Sequence, residues 1–271
     1  MIRIVLAASL FLLLAAIAPP ARAQDVDKDA EALFAGAMAE DPLEADEGRE
    51  EILQLGRRAA PAVARHLADK DAAARYIACE LLGQLGEASV VPGLVEKLKD
   101  LDVYSRSVRS AAARALGRLG DAKAAPALID ALKVNQDPDL QYEAAVALGN
   151  LRAVDSVDAL IALLTSEAKT YHDRLVAAGA AQALGRIKAE KAIPELVKLL
   201  DKSNQEPATD LSLAYYAARA FERISGQKQG SLTQSGEARD EAIKKWRDWV
   251  AARGGEKKPG DEKKPGDGAG S

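Results

Sequence analysis

One seventeen-residue phrase governs what this chain can fold into. It reads LGQLGEASVVPGLVEKL at residues 82–98, LGRLGDAKAAPALIDAL at 116–132, LGNLRAVDSVDALIALL at 148–164 and LGRIKAEKAIPELVKLL at 184–200. Aligned on its leucine, the phrase places Leu82, Leu116, Leu148 and Leu184 in one column, 34, 32 and 36 residues apart. Ile52 precedes the column and Phe221 extends it. Periods of this length belong to stacked supersecondary units, because one unit cannot bury its own apolar face and a row of them can.

Each unit predicts two helices. Eleven residues before each anchor stand Asp41, Asp71, Ser105, Asp137, Asp173 and Asp210, all able to accept a hydrogen bond from the free N–H groups of a first helical turn. Three and four residues before the anchors the chain is small: Ala78 and Cys79, Ala112 and Ala113, Ala144 and Ala145, Ala180 and Ala181, Ala217 and Ala218. With the anchor they make one apolar stripe at helical spacing. The glycine after the anchor (Gly83, Gly117, Gly149, Gly185) lies inside the stripe, which reads as a site of tight helix contact. A second helix starts at Pro61, Pro92, Pro126 and Pro194, with Asp158 in the fourth copy, and carries stripes such as Leu94-Val95-Leu98 and Leu128-Ile129-Leu132. The expected fold is all-α, an α-solenoid of about six stacked two-helix repeats over residues 41–253.

The pattern Asp/Ser-x-x-x-Arg, AA-x-x-LG-x-LG-D and a proline-led second helix, as in Ser105 to Leu132, resembles the HEAT-like repeat of the phycobiliprotein-lyase type. The arginine of the first helix stands here as Arg75 and Arg109 and gives way to Gln141, Ala177 and Ala214. The resemblance implies a HEAT-like stack whose second helices line a concave, partner-binding side. The chain's ending is similar to that of exported bacterial HEAT-repeat proteins.

The two ends read differently. Arg3, the apolar run Ile4 to Ala18 and Ala21-Arg22-Ala23 describe a secretory signal peptide over residues 1–23, followed by a lead-in helix over 24–40. That predicts an exported protein, periplasmic or secreted, with no membrane span once the signal is cleaved. Ala242, Ile243, Trp246, Trp249 and Val250 share one face of a helix over 237–252 that can cap the stack. The Trp246 and Trp249 pair is alternatively a ligand platform. Residues 254–271, with EKKPGD written twice, read as a disordered charged tail.

Charge and chemistry narrow the function. Removing residues 1–23 leaves 35 basic against 41 acidic residues, a formal net of about −6, which disfavours nucleic acid. The single cysteine, Cys79, occupies an alanine column and reads as a buried packing residue. His66 and His172 stand in different repeats without a companion motif, and neither is followed by the glutamate that HEAT-like hydroxylases use for iron. No catalytic or metal-binding residue and no cofactor is expected. The expected function is a non-catalytic protein-binding or scaffolding solenoid. The alternative is a partner or lyase-like subunit of an enzyme complex. The partner, a protein or peptide, is expected on the outward ridge of the second helices: Arg65, Glu96, Asp130 and Lys198. An alternative surface is the tyrosine flank of the first helices, Tyr76, Tyr142 and Tyr215.

Overall fold

The computed structural model describes residues 23–100, 105–134, 136–202, 213–227 and 237–255. Residues 1–22, where a signal peptide is expected, Asp210 and the chain beyond 255 lie outside the described residues. A lead-in helix α1 (Ala23–Ala37) comes first. Then follow α2 (Pro42–Leu55), α3 (Ala60–Arg65), α4 (Ala72–Leu85), α5 (Val91–Lys97), α6 (Arg106–Leu119), α7 (Ala125–Ala131), α8 (Pro138–Leu151), α9 (Val157–Leu163), α10 (Val176–Ile187), α11 (Ile193–Lys202), α12 (Leu213–Ser225) and α13 (Glu237–Gly255). Among the described residues the only β pairing is one isolated bridge, Lys169 with Leu175. The fold is an all-α solenoid of stacked helix pairs.

The helix starts follow the caps in three of the five described cases. The Asp41 carboxylate accepts from the Leu43 and Glu44 N–H groups at 2.8 and 3.2 Å, Asp71 from Ala73 at 2.9 Å and Asp137 from Leu140 at 3.1 Å. Ser105 stands at the expected position but does not cap: its hydroxyl donates to the Asp100 carbonyl at 2.8 Å. Asp173 is not a cap either. The chain there turns back on itself, with Thr170 N–H donating to the Arg174 carbonyl at 2.9 Å, so α10 starts only at Val176 and Asp173 sits in the left-handed region at φ 58°.

The chain forms two compact units, Met1–Ala124 and Ala125–Ser271. In the first, α1 packs on α2 and α3, and α4 on α6; in the second, α8 packs on α10 and α10 on α12. The anchor column is the core of both, since Ile52, Leu82, Leu116, Leu148, Leu184 and Phe221 are all wholly buried. The glycines beside the anchors set the spacing. A Cβ on Gly83 would lie 2.8 Å from the Ala115 Cα, one on Gly149 2.6 Å from the Ala183 Cα, and one on Gly185 2.7 Å from the Ala220 Cα. These helices touch backbone to backbone.

The arginine column also has a structural role. Arg75 donates to the Asp69 and Lys70 carbonyls at 2.9 Å, and Arg109 to the Asp100 carbonyl at 3.0 Å. Each satisfies acceptors just past the end of the preceding second helix. Gln141 performs the same task with its amide, donating to the Leu132 carbonyl at 2.8 Å. The replacement of arginine by Gln141 therefore preserves the role, which the alanine side chains at 177 and 214 cannot perform.

The last helix closes the second unit. Trp246 is wholly buried and stacks on the anchor Phe221 at 5.0 Å, while Trp249 meets Trp246 edge-on at 6.0 Å. Ala242 and Ile243 are buried on the same face. The helix runs to Gly255, three residues beyond the expected end.

Candidate partner-binding surfaces

The second helices are short, and their burial is narrower than their apolar stripe. Val63, Leu94, Leu128, Leu160 and Leu196 are buried, and so are Leu67, Leu98, Leu132, Leu164 and Leu200. The residues between them, Ala64, Val95, Ile129, Ile161 and Val197, are only half-buried. A second helix thus presents a half-buried apolar side chain directly before the exposed ridge position.

In the first unit this leaves two grooves on either side of α5. One, of about 440 Å³, lies against α3 and is lined by Pro61, Ala64, Leu67, Gly93, Glu96 and Lys97. The other, of about 450 Å³, is lined by Pro92, Val95, Glu96, Asp121 and Lys123. Glu96 borders both. Each combines an apolar floor with carboxylate and ammonium groups at its edge, which suits an extended segment better than a small molecule in an enclosed cavity.

The other ridge residues are in different situations. Arg65 forms ion pairs with Asp27 at 3.0 Å and Glu31 at 2.8 Å, so it fastens α3 to the lead-in helix. His66 completes that contact, stacking on Phe34 at 3.6 Å with its Nε2 3.2 Å from Glu31. In the second unit Asp130 and Lys198 are exposed, paired with Lys133 and Glu195 on their own turns at 2.7 Å. Such pairs contribute little and break easily when a partner arrives.

The tyrosine flank does not form a ladder. Tyr76 is exposed and Tyr215 half-buried, but Tyr142 is only 6% exposed. It lies under the Arg174 guanidinium at 4.3 Å, and its ring fills the space left by Gly179. Tyr142 is part of the α8–α10 packing and is removed from the expected docking surface.

Cys79 is wholly buried, and burial pushes its thiol up to about 12. At neutral pH it is protonated and enclosed, which is the opposite of an activated nucleophile. His66 belongs to the first unit and His172 to the second. Among the described residues no group of His, Cys, Asp or Glu side chains is arranged to hold a metal ion. No helix among them is long and apolar enough to cross a membrane.

Comparison with known proteins agrees with this architecture. A solved engineered protein is 23% identical, with a TM-score of 0.50, covering 76% of this chain and 93% of that one. The complex of CpcE and CpcF of phycocyanin lyase from Nostoc sp. PCC7120 is 20% identical, also with a TM-score of 0.50, covering 86% of this chain and 96% of that one. Both likenesses are of fold. The search of curated proteins returns no match. The sequence itself matches HEAT repeats over residues 59–140, 101–171 and 125–214, which together span more than half of its length. The chain belongs to the HEAT repeat family.

Proposed function

We propose that this is an exported, non-catalytic HEAT-repeat protein that binds or scaffolds another protein, and that its most specific role is as partner subunit of an enzyme complex. The observation that carries the reading is the second-helix face of the first unit, where Glu96 borders two grooves floored by Ala64 and Val95. Exposed charge beside half-buried apolar side chains is what a protein surface uses for partner contact. The buried thiol of Cys79 supports the absence of covalent chemistry at that residue. The likeness in fold to the paired CpcE and CpcF proteins supports the partner-subunit form, since there the architecture serves a two-protein assembly. Export rests on the Arg3 to Ala23 leader pattern.

The test is isolation of the tagged full-length chain after crosslinking in cells, beside a Glu96→Lys variant. The expected result is one protein recovered in near-equal amount with the parent and depleted with the variant; an enzyme in that place supports the partner-subunit form. A chain isolated alone in both cases, or a partner retained equally by both, contradicts the reading. Terminal sequencing of the same material tests export: it should begin at Gln24, and an intact Met1 would exclude the leader.

A further inference from the structure

In the second unit a cleft of about 430 Å³ opens beside the C-terminal ends of α8 and α10, lined by Gly149, Asn150, Arg152, Arg186, Lys188 and Arg223. Four cations meet there, and among the described residues no carboxylate lines the cleft. Among the described residues none of Arg152, Lys188 and Arg223 is paired with an acid, while Arg186 donates to the Asn150 side-chain carbonyl. Like charges gathered without a counterion repel one another; the pKa of Arg186 is lowered first by burial, and the nearby Arg223 adds to the shift. The chain has 41 acidic residues and a net charge of −4, yet none of its described carboxylates lies at this cleft.

The backbone supplies an independent observation. In the first unit α4 and α6 end on Gly86 and Gly120 in the left-handed region, the residue type that adopts it without steric cost. At the matching ends of α8 and α10 stand Arg152 at φ 51° and Lys188 at φ 60°. Their side chains are not needed to satisfy the helix ends. The Leu148 and Gly149 carbonyls accept from the Ala153 and Arg152 N–H groups, and Leu184 and Gly185 from Ala189 and Lys188. Cations occupy positions that glycine would fill without steric cost; the helix C-termini favour their charge, but among the described residues no acid pairs with them. Strain kept against the better local choice marks a functional position.

We infer that Arg152, Arg186, Lys188 and Arg223 form a binding site for the carboxylates of an acidic peptide segment carried by a protein partner. Guanidinium groups accept carboxylates in bidentate pairs, and an arginine cluster in a shallow cleft reads short acidic motifs. The overall negative charge of the chain repels a long polyanion and limits the site to a local cluster of acids. The inference rests on the protein-binding reading but stands apart from the Glu96 grooves, so either surface can fail while the other holds.

The test uses fluorescence anisotropy of a labelled hexaglutamate peptide with the full chain at low ionic strength. The key variant is Arg152→Gly with Lys188→Gly, which removes two cations and relieves the backbone at both helix ends, so it melts above the parent. Affinity should fall by about twofold to thirtyfold, the loss that two exposed charge pairs convert to. Arg58→Gln, an exposed arginine of the first unit, is the control and should bind as the parent does. Unchanged binding by the double glycine variant overturns the inference. So does an equal loss in Arg58→Gln, or hexalysine binding as well as hexaglutamate. An oligonucleotide that outcompetes hexaglutamate would assign the cleft to nucleic acid and overturn it too.

Discussion

Gly149→Ala offers the sharpest test of how the repeats are spaced. Alanine is the better helix former, and in an open helix position the exchange would stabilise by about 0.5–1 kcal/mol. Here the new Cβ would lie 2.6 Å from the Ala183 Cα and 3.0 Å from the Ala183 Cβ. Carbon atoms prefer about 3.5–4.0 Å, so α8 and α10 would have to separate by about 1 Å, against a neighbour that is backbone and cannot rotate away. Overpacking of this kind costs about 1–3 kcal/mol, which leaves a net loss of about 1–2 kcal/mol after the propensity gain. Gly36→Ala is the matched control. It also lies one turn from a helix end, but its Cβ would meet only the Gly48 Cα at an ordinary 3.9 Å. Urea denaturation followed by circular dichroism should separate the two variants by about 2 kcal/mol, with Gly36→Ala at or above the parent. Adding Ala183→Gly to Gly149→Ala should restore only part of the loss, because the overlap with the backbone of residue 183 remains. A Gly149→Ala protein as stable as Gly36→Ala would refute the backbone-to-backbone packing.

Three further outcomes are expected. Lys188→Gly should stabilise by about 1 kcal/mol, the cost of a side chain in the left-handed region, seen as a higher melting temperature. Arg75→Ala should cost about 2–3 kcal/mol in urea denaturation, because it removes the guanidinium 3.0 Å from the half-buried Asp100 carboxylate together with its hydrogen bonds to the Asp69 and Lys70 carbonyls; Arg49→Ala, at an exposed pair, should change stability by less than about 0.5 kcal/mol. The Cys79 thiol should stay unreactive toward a thiol reagent in the folded protein from pH 7 to 10, since its raised pKa of about 12 keeps it protonated, and should react fully in denaturant.

The repeat register was legible in the sequence because it rests on two local rules. Helical spacing put every anchor in the core, and Gly83, Gly149 and Gly185 inside the stripe marked where helices touch. Features that depend on a neighbour were less legible. The middle residues of the second helices lie within the apolar arc but are half-buried, because helices of six to ten residues meet their neighbours along a narrow strip. Tyr142 resembles Tyr76 in its own helix, but on the next helix it meets Gly179, where the equivalent column position in the earlier repeat is Ala111, and the Arg174 guanidinium covers its ring. Asp173 fits the capping column, yet the Lys169–Leu175 turn delays the helix past it. Signals for the basic cleft were present in two columns: Arg186 and Arg223 two residues after their anchors, and Arg152 and Lys188 where earlier copies have Gly86 and Gly120.

The central claim, that this chain acts through the second-helix face, is tested most directly by photo-crosslinking from defined positions. A photoreactive residue at position 96 and another at position 76, each in the full chain expressed in cells, sample the grooved face and the first-helix flank of the same unit. The predicted result is a discrete protein adduct from position 96, suppressed when the crosslinker is combined with Lys97→Glu, and little from position 76. Adducts from position 76 alone would contradict the claim and move the working surface to the exposed Tyr76 flank.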